Sequence, residues 1–229
     1  MVCLLGMAGP PSKHPNPDDG TPVGIVADSH GQVEPLAAAL AYLRQKGCVT
    51  IYHLGDICDS LDPGTADACV QLLRKYRVHS VKGNNDHMIV VNQTGRKKLS
   101  IGGETLAYLK TLPLVIHHGG IILAHSLPFE SEMGLSCMVG AMHHGHARRF
   151  FRDFPDRILL RGHSHAPAIT WQGDNGRIVS ESVRPECAID IAHRKPCIIT
   201  CGALDHGLCM QWSPENSRIT SKRFEGRAV

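Results

Sequence analysis

Val23-Gly24-Ile25-Val26-Ala27-Asp28-Ser29-His30-Gly31 is the stretch on which the fold turns. Its first five residues are apolar and partly β-branched, as in a buried strand, and the run stops at an acid. From Val33 to Lys46 apolar residues recur at helical spacing before Gly47, so the unit reads strand, loop, helix. It repeats at once. Val49-Thr50-Ile51-Tyr52-His53-Leu54 is a second strand ending at Gly55-Asp56, Pro63 to Arg77 suits a helix, and Val78 to Lys82 is a third strand ending at Gly83. This β-α-β-α-β order implies parallel pairing and an α/β fold.

Further along the style changes. Glu104 to Leu112 suits a helix, and Leu114 to His117 and Ile121 to His125 read as strands about a Gly119-Gly120 turn, a hairpin signal. A polar, His-rich stretch runs to Arg152, and Arg157 to Arg161 is a strand ending in Gly162-His163-Ser164-His165. Strand-like segments recur at Ala168 to Gln172, Arg177 to Val183, Cys197 to Thr200, Gly207 to Trp212 and Arg218 to Phe224, so the C-terminal half is mostly β.

Composition narrows the class. Of 229 residues, 42% are apolar and 20% charged, the balance of a globular protein with a sizeable core. Residues 1–22 read as a flexible tail, because Gly9 to Pro22 is rich in Pro, Asp, Gly and Asn without apolar period, and 23–229 as a single domain. The net charge of +3 is small, and Arg96-Lys97-Lys98 and Arg148-Arg149 are short runs of solvated charge, so nucleic acid is not an expected partner. The nine cysteines lack any C-x-x-C spacing and read as reduced thiols. Met1 to Met7 is apolar but too short for a signal or a membrane span; no membrane partner is expected, and the expected location is the cytoplasm.

Asp28-x-His30, Gly55-Asp56, Gly83-Asn84-Asn85-Asp86, His125 and His163-x-His165 each directly follow an expected strand. The carboxyl ends of strands are where α/β sheets build sites. One intervening residue puts Asp28 and His30 on the same face of an extended segment, and likewise His163 and His165, so each pair can converge on one point. Imidazole, carboxylate and one amide oxygen, with no thiolate, suit borderline divalent ions such as manganese, iron, zinc, cobalt or nickel, manganese foremost.

The ordered set D-x-H, G-D-x-x-D, G-N-x-D, an apolar strand ending in His, and G-H-x-H resembles the calcineurin-like metallophosphoesterase superfamily, in particular its compact bacterial-type phosphodiesterases. The likeness runs from Val23 to about Pro167, with a continuation at Cys201-Gly202-Ala203-Leu204. It implies a four-layer α/β/β/α sandwich of two mixed sheets flanked by helices. It also implies two divalent ions, one held by Asp28, His30, Asp56 and His165, the other by Asp56, Asn84, His125 and His163. A hydroxide shared by the ions would attack phosphorus in a small soluble phosphodiester or phosphomonoester. Asp56, Asn85 and Asp86 stand at the catalytic positions of the pattern, and Asp59 and Asp86 are placed to orient metal-bound histidines.

The pattern departs in two places. Many relatives carry His where this chain has Asn85, and an amide cannot protonate a leaving oxygen; His87 is a possible substitute. After Asp59 the chain reads Ser60-Leu61 rather than the Arg-Gly of protein Ser/Thr phosphatases, which disfavours that branch. His143, His144 and His146 with Arg148 and Arg149 could meet substrate phosphate, or form a polar helix face. Two alternatives stand beside the hydrolase of simple esters: a nucleotide or dinucleoside polyphosphate hydrolase, and a non-catalytic metal-binding interaction module of the same fold. Oligomeric state is not encoded legibly.

Overall fold

The computed structural model describes residues 20–223. Most of the tail expected over 1–22 therefore lies outside the described residues, as does Phe224. Two six-stranded mixed sheets face each other with helices outside, the four layers anticipated above.

The first sheet is built on the tandem units. β1 (Val23–Val26), α1 (Val33–Gln45), β2 (Thr50–His53), α2 (Ala66–Lys75) and β3 (His79–Ser80) follow in order, with a 3-10 turn at Pro63–Thr65 where the expected helix began. β1 pairs parallel with β2, and β2 with β3. α1 buries Leu36, Leu40 and Leu43 completely, each worth about 1.5–3 kcal/mol of transfer free energy.

α3 (Asn84–Gln93) and α4 (Gly103–Thr111) lead into the second sheet, which opens with the hairpin β4 (Val115–His118) and β5 (Ile121–Ala124) about Gly119-Gly120. A short helix α5 (Glu130–Met133) and the polar helix α6 (His144–Asp153) precede β6 (Ile158–Arg161), which runs parallel to β5. β7 (Ala168–Gln172), β8 (Ile178–Ser182), β9 (Ala188–Asp190), β10 (Cys197–Thr200), β11 (Leu208–Ser213) and β12 (Arg218–Arg223) complete the fold. The orders are β3-β2-β1-β11-β12-β9 and β4-β5-β6-β10-β7-β8.

Three apolar clusters fill the spaces between layers. One lies under α1 and α2 and includes Leu40, Ile51 and Leu73. The second joins the inner faces of the sheets through Ile25, Tyr52, Leu123, Leu160 and Met210. The third, with Ile122, Leu159 and Phe150, packs α6 on the outer face of the second sheet. Leu159 and Leu160 falling into different clusters is the period-2 alternation of a strand covered on both faces.

The elements α3, α5 and β9 were not legible beforehand. α3 starts inside Gly83-Asn84-Asn85-Asp86, read as loop because Asn and Asp compete with helix through local hydrogen bonds. α6 realises the polar helix face as one of its two readings, and the three residues of β9 are too few to show a period. Among the described residues no helix is long and apolar enough to cross a membrane. The eight described cysteines are free thiols, all buried except Cys187.

Candidate active site

The loops after β1, β2, β3, β5 and β6 meet at the seam between the two sheets. Their backbones are bent to do so. Among the described residues, five of the eight non-glycine residues with positive φ belong to the expected ligand set: Asp28 (51°), His30 (43°), Asp56 (54°), His163 (70°) and His165 (57°). Such conformations are costly for residues with a Cβ and persist where the surroundings impose them, typically at functional sites.

Close approach of backbone to side chain is equally marked. A Cβ at Gly83 would lie 2.1 Å from both the backbone nitrogen and Oδ1 of Asp56, and one at Gly162 2.6 Å from Asp28 Oδ2. Glycine is required at both positions because these loops interlock around the carboxylates.

His30, His165 and Asp28 form one group: His30 Nε2 is 3.2 Å from His165 Nε2, which is 3.7 Å from Asp28 Oδ1. Asp56 Oδ2 is 4.0 Å from His30 Nε2 and 3.5 Å from His125 Nε2, so it stands between that group and a second. In the second group His125 Nε2 is 3.1 Å from Asn84 Oδ1 and 3.2 Å from His163 Nδ1. All seven expected ligands are thus brought together. Asp28, His30 and His165, and separately Asp28, Asp56 and His125, have ligand atoms close enough to share one ion.

Tautomers make the second group informative. His125 Nδ1 is 2.8 Å from the Leu54 carbonyl and must donate to it, which leaves Nε2 as a lone pair. His163 Nδ1 faces this lone pair at 3.2 Å. An imidazole lone pair therefore points at an amide oxygen, a carboxylate and a second imidazole. Acceptors converging this way in a buried space repel unless a cation lies among them, so the donor set fits divalent metal ions.

The electrostatics agree. Burial, reinforced by the Asp56 charge, pushes Asp28 up to about 8, and the same two causes push Asp86 up to about 7. Burial pulls His125 down to about 4 and lowers His163 and His165, holding the imidazoles in the neutral form that ligates. Burial also draws the Arg161 guanidinium down to about 10, so it stays charged at neutral pH.

The remaining expected residues take other positions. Asp86 touches backbone: Oδ1 accepts from the amides of Ile57 and Cys58 at 3.0 and 3.2 Å, and Oδ2 from that of Gly83 at 2.9 Å. It ties the Asp56 loop to the start of α3 instead of orienting a histidine. Asp59 accepts from the Leu61 amide at 2.8 Å, closing its own turn. Asn85 grips Asp56, its backbone amide donating to Oδ1 and its side-chain Nδ2 to Oδ2, both at 2.8 Å. Its Oδ1 accepts from the Ser60 hydroxyl at 2.6 Å, so the amide is a positioning group for Asp56. His87 is half-buried in the first turn of α3, three residues after Asn84 and on the same helix face. His143 caps α6, accepting from the His146 amide at 3.4 Å and stacking on the His146 ring. Arg148 is exposed, and Arg149 pairs with Glu132 and Asp153.

Asp205 and His206, in the turn after β10, were not foreseen. Asp205 Oδ1 lies 3.6 Å from His165 Nδ1 and 3.9 Å from His206 Nε2, and it is buried without a hydrogen-bond partner. Asp205 is thus the carboxylate beside the outer nitrogen of the His165 ring, the kind of place expected of Asp59 and Asp86. The signal was faint: an acid and a histidine after a buried strand, some 40 residues beyond the last motif. His53 was also missed. It is fully buried beneath the site, and because the Ser29 hydroxyl donates to the Ile57 carbonyl, His53 Nε2 donates to Ser29 at 2.9 Å.

Comparison with known proteins matches residues 22–186 to the calcineurin-like phosphoesterase superfamily domain. An uncharacterised protein of Methanocaldococcus jannaschii is 26% identical over 175 residues, 67% of this chain and 66% of that protein, just under two thirds of its length. Among solved structures, a metallophosphoesterase from Sphaerobacter thermophilus superposes with a TM-score of 0.68 at 22% identity, covering 91% of this chain and 89% of that one. A novel archaeal phosphodiesterase superposes at 0.51 with 12% identity, over 89% and 99% of the two chains. A protein serine/threonine phosphatase from Saccharomyces cerevisiae superposes at 0.52 with 14% identity, over 92% and 81%. At these identities the superpositions speak to the fold alone.

Proposed function

The chain belongs to the calcineurin-like phosphoesterase superfamily, and on that footing we propose that it hydrolyses a phosphodiester or phosphomonoester of a small molecule with two divalent cations. Asp28, His30, Asp56 and His165 would hold one and Asp56, Asn84, His125 and His163 the other, with manganese the first candidate. The observation that carries this reading is the convergence on the His125 Nε2 lone pair of Asn84 Oδ1 at 3.1 Å, His163 Nδ1 at 3.2 Å and Asp56 Oδ2 at 3.5 Å.

Cations bound there would polarise the phosphoryl oxygens and lower the pKa of water, the chemistry of two-metal hydrolases. The chain's own contribution is placement. The first turn of α3 donates the Asn85 backbone amide to Asp56, and the Asn85 side chain fixes the second carboxylate oxygen. Asp56 is thereby held between the two groups. The Leu54 carbonyl fixes His125 with Nε2 inward, and Asp205 faces the outer nitrogen of His165. Such supports hold ligand geometry to the tolerance that catalysis needs. Asn85 has no proton of useful acidity to give the leaving oxygen, which favours esters whose alcohols leave readily.

The test is to strip the protein of metal, restore Mn²⁺, and follow bis-p-nitrophenyl phosphate and p-nitrophenyl phosphate, with Asp56→Asn in parallel. Metal-dependent turnover that disappears in the variant supports the proposal, and the faster substrate assigns diesterase or monoesterase. An inert wild type with every divalent metal tried overturns it.

A further inference from the structure

A cleft of about 450 Å³ lies beside the site on the outer face of the second sheet; Met142, Arg161, His163, Thr170, Ser180 and Thr200 are among the residues lining it. His163 belongs to both the cleft and the ligand cluster, so whatever fills the cleft adjoins whatever is held by the cluster. The hydroxyl-bearing residues Thr170, Ser180 and Thr200 line the cleft, and Arg161 forms part of its wall.

Arg161 is unusual in its burial. The residue is 3% exposed, and among the described residues it forms no ion pair with any carboxylate. Three of its five N–H groups are used: Nε donates to the Ser126 carbonyl at 2.8 Å, Nη2 to the Ser126 hydroxyl at 3.0 Å and Nη1 to Thr200 Oγ1 at 3.2 Å. The Ser126 hydroxyl in turn donates to the Gly140 carbonyl, which locks the arrangement. One N–H remains on each terminal nitrogen. The Asp28 carboxylate acts on this guanidinium only through space, without a direct ion pair, so its two spare N–H groups are left for a ligand, and a planar fork suits a two-oxygen group such as phosphate.

We propose that Arg161 and the cleft beside it bind a second phosphoryl group of the substrate, so that this chain prefers short polyphosphates or bisphosphates over esters of a single phosphate. The inference rests on the two-metal reading above, since the first phosphoryl group is the one held at the metal ligands. Arg161 is a specificity determinant here: it contacts the part of the substrate that does not react.

The test measures binding of methylenediphosphonate and methylphosphonate by calorimetry to Mn²⁺-loaded protein, wild type, Arg161→Met and Ser180→Glu. Chelation of Mn²⁺ by the ligand is common to all three proteins, so the readout is how the ratio of the two affinities changes between them. The ratio is expected to fall about tenfold in Arg161→Met, and also in Ser180→Glu, where an exposed hydroxyl at the cleft becomes an opposing charge. Should Arg161→Met fail to fold, Ser180→Glu decides alone. A lower melting temperature in Arg161→Met with the ratio unmoved in both variants would make Arg161 a structural strut only and overturn the proposal. A wild type that keeps the diphosphonate preference but hydrolyses no ester would refute the proposed function and not this subsite. Turnover without the preference would do the reverse.

Discussion

His125 is the pivotal side chain of the site, because its tautomer is fixed by a carbonyl and its free lone pair faces an amide oxygen, a carboxylate and a second imidazole. Protonation behaviour at this scale has a sign. Asp28 and Asp86 are raised in the folded chain to about 8 and about 7, from 3.8, so above pH 4 the folded state binds more protons than the unfolded one and loses stability as pH rises. His125 and His53, lowered to about 4 and about 3 from 6.5, act oppositely but only below about 6.5. Between pH 6.5 and 8 the carboxylates act alone. Thermal melts of chelator-treated protein should therefore fall across that window, and added Mn²⁺ should flatten the slope by replacing the proton; a rising melting temperature without metal would refute the assignment. Asp86→Ala removes the acceptor for three backbone amides and should cost about 3 kcal/mol in urea unfolding. Asn85 predicts a steep dependence of rate on leaving-group pKa, and Asn85→His should flatten it; a shallow slope in the wild type would mean that another group, such as His87 or His206, supplies the proton.

Among the elements, α3 shows where sequence reading stopped. The tandem strands and helices were legible because Val, Ile and Leu recur at the periods of 2 and 3.6 that burial imposes. The helix was not, because its first turn is Asn84-Asn85-Asp86 and its buried face is only Asp86, Ile89 and Gln93. The ligands were legible as ordered motifs for the same local reason, each lying just after a strand. Asp205 and Arg161 were not, since one reaches the site from a distant turn and the other looked like the polar end of a strand. The interlock of α3 with the β2 loop gives a sharp test: Gly83→Ala places a Cβ 2.1 Å from Asp56, and neither backbone can yield without moving the carboxylate. That variant should lose metal binding and about 3 kcal/mol or more of stability, read by calorimetry and urea unfolding. Unaltered metal affinity would show that the loops are less tightly coupled than described.

For the whole molecule, the site is a clasp between two sheets. Asp28, His30 and Asp56 come from loops of the first sheet and Asn84 from the first turn of α3 that follows it, and His125, His163 and His165 from loops of the second. The inner apolar cluster already joins the sheets, and ions held across the seam as proposed would add to it by mass action. Saturation at 100 times the dissociation constant contributes about 2.7 kcal/mol, which in a chain of this size raises the melting temperature by roughly 5–10 °C. The most direct test of the account is a metal count per chain by elemental analysis after exhaustive dialysis of Mn²⁺-loaded wild type, His30→Ala and His163→Ala. The account predicts two ions in the wild type and a deficit in each variant, because each removes a ligand from a different group. A single ion in the wild type, or two retained in both variants, would contradict it.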